Sequence, residues 1–206
     1  MLLKEDVNQM AKKKKNVKHA EAIKRKSAAE KEMAKLGLDL SDNTAIIGLV
    51  FEHLAVSQLT YFGIQSINKI CKLYAGIDIV VFSQHIIPPC INPACSVFDT
   101  SELDRWSTYP LITTSISTTI EALSGNAPVI YHYSFDPTFI DRQYCKSDEL
   151  KRAFCDPRVK VVVRHKSHKQ LIEEEFDIDV CDTIIPDCNI ESLAKLVLTE
   201  MKTNGC

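Results

Sequence analysis

The chain reads as an α/β protein built on a single Rossmann-like, doubly wound, mostly parallel sheet of six or seven strands. Three observations predict this. Short runs such as Thr44–Phe51, Ile77–Phe82 and Val159–Val163 are apolar nearly throughout, the pattern of strands covered on both faces. Stretches with apolar residues at helical spacing alternate with these runs. The connections are long enough to carry a crossover helix, which makes the strands they join parallel.

Taken in order, residues 1–40 are rich in Lys, Ala and Glu and contain Gly37 but no proline. That composition favours helix, yet Val17, Ala20, Ile23, Ala28 and Met33 make only a thin apolar stripe. A basic helical extension over 1–40 is therefore expected, followed by the α/β domain over 41–206. Residues 1–35 hold 11 Lys/Arg against 5 Asp/Glu, a net charge of +6, which leaves 14 against 22, or −8, for the rest of the chain. Lys12–Lys15 and Lys24-Arg25-Lys26 suit an acidic partner or nucleic-acid phosphates held by charge alone. Without interleaved aromatics they carry no base readout, and a solvated helical tail is the favoured reading.

Thr44–Phe51 is the first strand, with Glu52 and His53 at its end. Apolar positions from Val56 to Tyr74 predict an amphipathic helix with Ser57 inside its first turn and Gly76 closing it. Ile77–Phe82 is the second strand. Ser83-Gln84-His85 leave it, and a loop bearing Pro88, Pro89 and Pro93 leads to a short third strand at Cys95–Phe98. Residues 103–109, with the lone Trp106, make a turn or short helix.

The central stretch runs from Pro110 to Ser134. Leu111 and Ile112 suit a buried strand, and Ser117 is placed to cap the helix that follows, because the first N–H groups of a helix lack intrahelical partners. Ile116, Ile120 and Leu123 recur on one helix face and Glu121 lies off it. Gly125-Asn126 reads as a left-handed stop, and Pro128–Tyr131 resumes a strand. Further on, Asp148–Phe154 is a short helix and Val159–Val163 the sixth strand. Ser167 with Gln170 has capping-box spacing for a helix to about Glu175. Thr183–Ile185 is a short seventh strand, and Asn189 caps a last helix with Leu193, Leu196, Val197 and Met201 on its apolar face.

Composition narrows the class. With 206 residues and 45% hydrophobic content the chain has room for one such domain and a short appendage. No apolar run approaches twenty residues, so no membrane span is expected. The opening MLLKEDVNQM lacks the apolar centre of a signal peptide, and the eight cysteines are scattered like reduced thiols, which together predict a cytoplasmic protein. No G-x-G-x-x-G follows the first strand, no phosphate-loop motif appears, and the cysteines lack the short pairs of zinc sites, so no metal is expected.

Function is sought at the strand ends. Parallel strands bring their C-terminal ends to one edge, where open α/β sheets bind ligands. Candidates for that edge are Thr114, Ser115, Ser117, Thr118, Glu121, His132, Arg164 and Lys166. Arg164 and Lys166, with the hydroxyl-rich helix start, suit a phosphate or diphosphate. Asp99 or Glu121 suits ribose hydroxyls, and His53 is a candidate base if its pKa lies near working pH.

The run Thr118-Thr119-Ile120-Glu121-Ala122-Leu123-Ser124-Gly125-Asn126-Ala127-Pro128-Val129-Ile130 resembles the nucleotide-sugar motif in the C-terminal half of two-domain, GT-B type glycosyltransferases. There a Glu-Ala pair opens a helix, a Gly ends it, and Pro-Val-Ile begins the next strand. The resemblance implies a UDP- or GDP-sugar donor and a ribose-binding role for Glu121. Enzymes of that family pair two domains and this chain has room for one, so turnover is left open: a glycosyltransferase if active, otherwise a binding protein. A second reading, of a different class, is a non-catalytic assembly protein whose basic segment docks on nucleic acid or an acidic partner.

Overall fold

The computed structural model describes residues 45–74, 76–85, 91–136 and 147–203, and Lys31 ahead of them. The expected basic extension otherwise lies outside the described residues. Seven strands form one sheet in the order 3-2-1-4-5-6-7, and every neighbouring pair is parallel. They are β1 (Ala45–His53), β2 (Ile77–His85), β3 (Ser96–Asp99), β4 (Leu111–Thr113), β5 (Ile130–Ser134), β6 (Val159–Val163) and β7 (Val180–Ile184). Among the described residues, five α-helices flank them: α1 (Gln58–Leu73), α2 (Ile116–Ser124), α3 (Ser147–Phe154), α4 (Lys166–Phe176) and, after the last strand, α5 (Ile190–Thr203). No helix among the described residues is long and apolar enough to cross a membrane.

The strands read as apolar throughout because both faces are covered. Ile47, Leu49 and Phe51 of β1 pack with Ile64, Ile67 and Ile70 of α1 and Leu193 and Val197 of α5. Val50 faces the other way, with Leu111, Ile130 and Ala122 of α2. Further along that second face, Val161 and Val163 meet Leu150 and Phe154 of α3 and Ile172 of α4. Each such side chain contributes about 1.5–3 kcal/mol on burial. Gly48 keeps β1 flat on this face, since an added Cβ would collide with Leu111 and stand 3.1 Å from the Trp106 ring.

Several local expectations need correction. The cap of α2 is Ser115, whose hydroxyl accepts from the Thr118 N–H (3.2 Å), while Ser117 falls in the first turn and is exposed. Gly125 is not left-handed: its φ is −84° and its ψ −176°. Glycine is required there because a Cβ would lie 2.9 Å from the Leu103 carbonyl oxygen. Ser57 stands one place before α1 and caps it, accepting from the Thr60 N–H at 3.1 Å. The Ser167–Gln170 box does not form, since α4 opens at Lys166 with His165 at its N-cap and no side-chain cap bond. Ser83, Gln84 and His85 belong to β2, and the turn near Trp106 is a 3₁₀ helix over Thr100–Arg105. Asn189 does cap α5, accepting from the Ser192 N–H at 3.2 Å.

Candidate functional site

Strand order places the site. Chain connections run outward from β1 through β2 to β3, then return across the sheet to β4 and run the other way. The helices after β1 and β4 therefore leave on opposite faces, and a crevice opens between them at the strands' C-terminal ends. A cavity of about 770 Å³ occupies that crevice. Glu52 comes to it from β1, Ser57 and Gln58 from the start of α1, and Thr114, Ser115, Ser117 and Glu121 from β4 and α2. His132, Ser134, Phe135 and Asp136 come from the end of β5, and Glu149 from α3.

The floor is a chain of buried hydroxyls. Thr114 Oγ1 donates to the Val50 carbonyl oxygen (3.0 Å), one step beyond the last register pair of β1 with β4, Val50 with Thr113. Thr118 closes a reciprocal capping box. Its hydroxyl accepts from the Ser115 N–H (3.0 Å) and donates to the Ser115 carbonyl (2.9 Å). Thr119 Oγ1 donates to the same carbonyl (2.9 Å) and lies 2.7 Å from Thr113 Oγ1 and 2.8 Å from His132 Nδ1. A hydroxyl has one proton to give, so with that proton on Ser115 the imidazole donates its Nδ1–H to Thr119. Nε2 is then the acceptor nitrogen of the ring. Burial pushes the His132 pKa down to about 4, so the ring is neutral at physiological pH.

Above this floor the cavity is lined by hydroxyls, carboxylates and the Gln58 amide, with Leu59, Ile116, Ile120 and Phe135 as apolar wall. Glu121 is held by the side chain of Gln84 at the end of β2, which donates to it at 2.8 Å. Ser115 Oγ and Ser117 Oγ are 3.0 Å apart. Ser134 is 2% exposed, and its Oγ has no hydrogen-bond partner among the described residues. Two helix N-termini, those of α1 and α2, meet at the cavity, and the first N–H groups of each have no intrahelical acceptor.

Of the residues expected at the edge, Thr114, Ser115, Ser117, Glu121 and His132 line this one cavity, and Thr118 lies directly beneath in the cap. Arg164 and Lys166 are not among the described lining residues. Arg164 donates from Nη2 to Asp187 (2.9 Å) and stacks 4.3 Å from the centroid of Phe135, so it stands behind the cavity wall; Lys166 is exposed at the start of α4. Asp99 caps the 3₁₀ helix through the Ser101 N–H (2.9 Å), and that bond lowers its pKa. The rings of His53 and His85 stack at 4.9 Å at adjacent strand ends. No group of three or more His, Cys, Asp or Glu among the described residues is arranged to hold a metal ion.

Sequence reasoning passed over Ser57, Gln58, Asp136 and Glu149 as site residues. A signal existed for the first, since Ser-x-x-Thr before an apolar helix is a capping spacing. Asp136 and Glu149 come from segments whose pairing with β4 is set only by strand order. Comparison with known proteins gives no match: no family model, curated protein or solved structure matches this chain.

Proposed function

We propose that this protein binds a nucleotide or nucleotide-sugar in the cavity between β1 and β4, as a glycosyltransferase-like domain. The observation that carries the reading is a coincidence of place. The hydroxyl-rich start of α2, the carboxylate of Glu121 and a cavity of ligand size all lie at the one point where the sheet reverses its winding. Glu121 accepts hydrogen bonds from ribose hydroxyls, and Ser115 and Ser117 add neutral donors. Lys166 and Arg164 supply positive charge outside the lining, near the end of β6. A UDP- or GDP-sugar is the ligand class that the Thr118–Ile130 resemblance adds.

Thermal unfolding in the presence of UDP, UDP-glucose and GDP-sugars tests the reading, because a ligand that binds only the folded state raises the melting temperature. A saturable rise with one of them is expected, and Glu121→Gln should reduce it. No rise with any of them would return the chain to the second reading, a scaffold whose basic residues 1–35 engage nucleic acid or an acidic partner.

A further inference from the structure

A pair of thiols lies at the opposite end of the sheet from the crevice. Cys71, near the end of α1, and Cys95, just ahead of β3, line one cavity of about 450 Å³ with Tyr74 and the first residues of β2. Strand alternation aims Cys95 at the helix. Cys95 and Val97 pack against the core beneath α1, while Phe98 meets Phe82 on the other face. A side-chain clamp fixes how the chain before β3 meets α1. Asn68 donates from Nδ2 to the Asn92 carbonyl (2.9 Å) and accepts from the Ala94 N–H (2.6 Å). Cys71 follows Asn68 at i+3 on the helix, and Cys95 follows Ala94 directly, so one helix face both holds this loop and presents a thiol beside it. Cys71 is exposed and Cys95 half-buried. Neither is activated as a catalytic nucleophile. Burial raises the Cys71 pKa, and burial first and the nearby Cys71 second push Cys95 up to about 12.

We propose that Cys71 and Cys95 are a reversible dithiol–disulfide pair, which joins the end of α1 to the start of β3 and takes a low-molecular-weight disulfide as its oxidant. The exposed Cys71, as thiolate, attacks one sulfur of that disulfide; the S–S bond breaks and one half leaves as a thiolate. Cys95, deprotonated in turn, attacks the Cys71 sulfur, and the second half leaves from the mixed disulfide. The two protein thiols lose two electrons and two protons, and the small disulfide gains both to become two thiols. The new bond closes the chain from α1 through β2 to β3, the edge strand next to β2, and so restrains that edge of the sheet. The pairing is independent of what the crevice binds.

Treatment of the full chain with oxidised glutathione, then alkylation of the remaining thiols, digestion and mass spectrometry, tests the pairing. A dithiothreitol-reversible link between the Cys71 and Cys95 peptides is expected, forming at least about tenfold faster in the folded chain than in urea. Cys95→Ser should stop the reaction at glutathione on Cys71. Asn68→Ala, which opens the clamp, should slow the link several-fold in the folded chain but not in urea. Both thiols still open to alkylation under excess oxidised glutathione would overturn the proposal, as would glutathione held on Cys71 of the parent chain with Cys95 unmodified. A link from either cysteine to Cys90 or to another thiol overturns it as well. So does a rate that is the same in urea as in the folded chain, or the same in folded Asn68→Ala as in the parent.

Discussion

His132 Nδ1 lies 2.8 Å from Thr119 Oγ1, so an imidazole on β5 is pinned to the helix that opens at the candidate site. The ring is 1% exposed, and its pKa is pushed down to about 4 by burial. In the unfolded chain the same group titrates near 6.5, so between these values the unfolded state binds more protons. The stabilisation is fully present above about pH 6.5 and is lost as pH falls to about 4, on the order of 2–4 kcal/mol in all. Urea unfolding across that window should show this slope, and His132→Asn, which keeps a donor near the Nδ1 position, should lack it. Equal slopes in both proteins would mean that His132 is not the buried titrating group.

Ser115 and Ser117 should separate cleanly. Ser115→Ala removes one half of the capping box and should cost about 1 kcal/mol of unfolding free energy. Ser117→Ala removes an exposed hydroxyl whose hydrogen-bond contact is Ser115 Oγ, and should stay within about 0.5 kcal/mol of the parent. The reverse ranking would restore Ser117 as the cap.

Gly125 makes a distinction between two reasons for glycine. A left-handed stop would tolerate Asn, whereas a close approach to a carbonyl would not. With the Leu103 oxygen 2.9 Å from an added Cβ, Gly125→Ala and Gly125→Asn should each cost about 1–3 kcal/mol, Asn at least as much as Ala. Chemical denaturation of the two variants checks the order.

Tyr133 holds a turn on the far side of the sheet. Its hydroxyl donates to the Ile185 carbonyl (2.7 Å) and accepts from the Cys188 N–H (2.9 Å), spanning Asp187 and Cys188 in left-handed conformations with φ of 51° and 47°. Tyr133→Phe leaves the Ile185 carbonyl and the Cys188 N–H without this hydroxyl and should cost about 1–3 kcal/mol for each of the two groups. Hydrogen exchange should show the Cys188 amide losing protection first; an unaltered Cys188 rate would place the support elsewhere.

The local pattern of apolar runs was enough to identify the parallel, doubly wound sheet, because strands buried on both faces have no polar side to show. It also located the hydroxyl-rich end of β4 and singled out Glu121. Caps were less legible: Ser115 and Ser117 are both plausible N-caps by type, and only the backbone angle at Ser115, φ −147°, distinguishes them. Gly125 reads in the sequence as a left-handed stop, whereas in the fold its φ is −84° and it is the Leu103 carbonyl, 2.9 Å from an added Cβ, that excludes a side chain.

What the sequence determined by itself is therefore the kind of layer each segment can join, since residue spacing and burial pattern are local properties. Which strands became neighbours was decided only in the tertiary structure. Pairing β1 with β4 across an intervening excursion to β3 is a long-range choice, made by the packing of α1 and α5 on one face and α2, α3 and α4 on the other. That choice brings Glu52, Ser134, Asp136 and Glu149 around one cavity and moves Arg164 behind its wall, because side chains far apart in the chain meet only where strand order and winding direction bring their ends together.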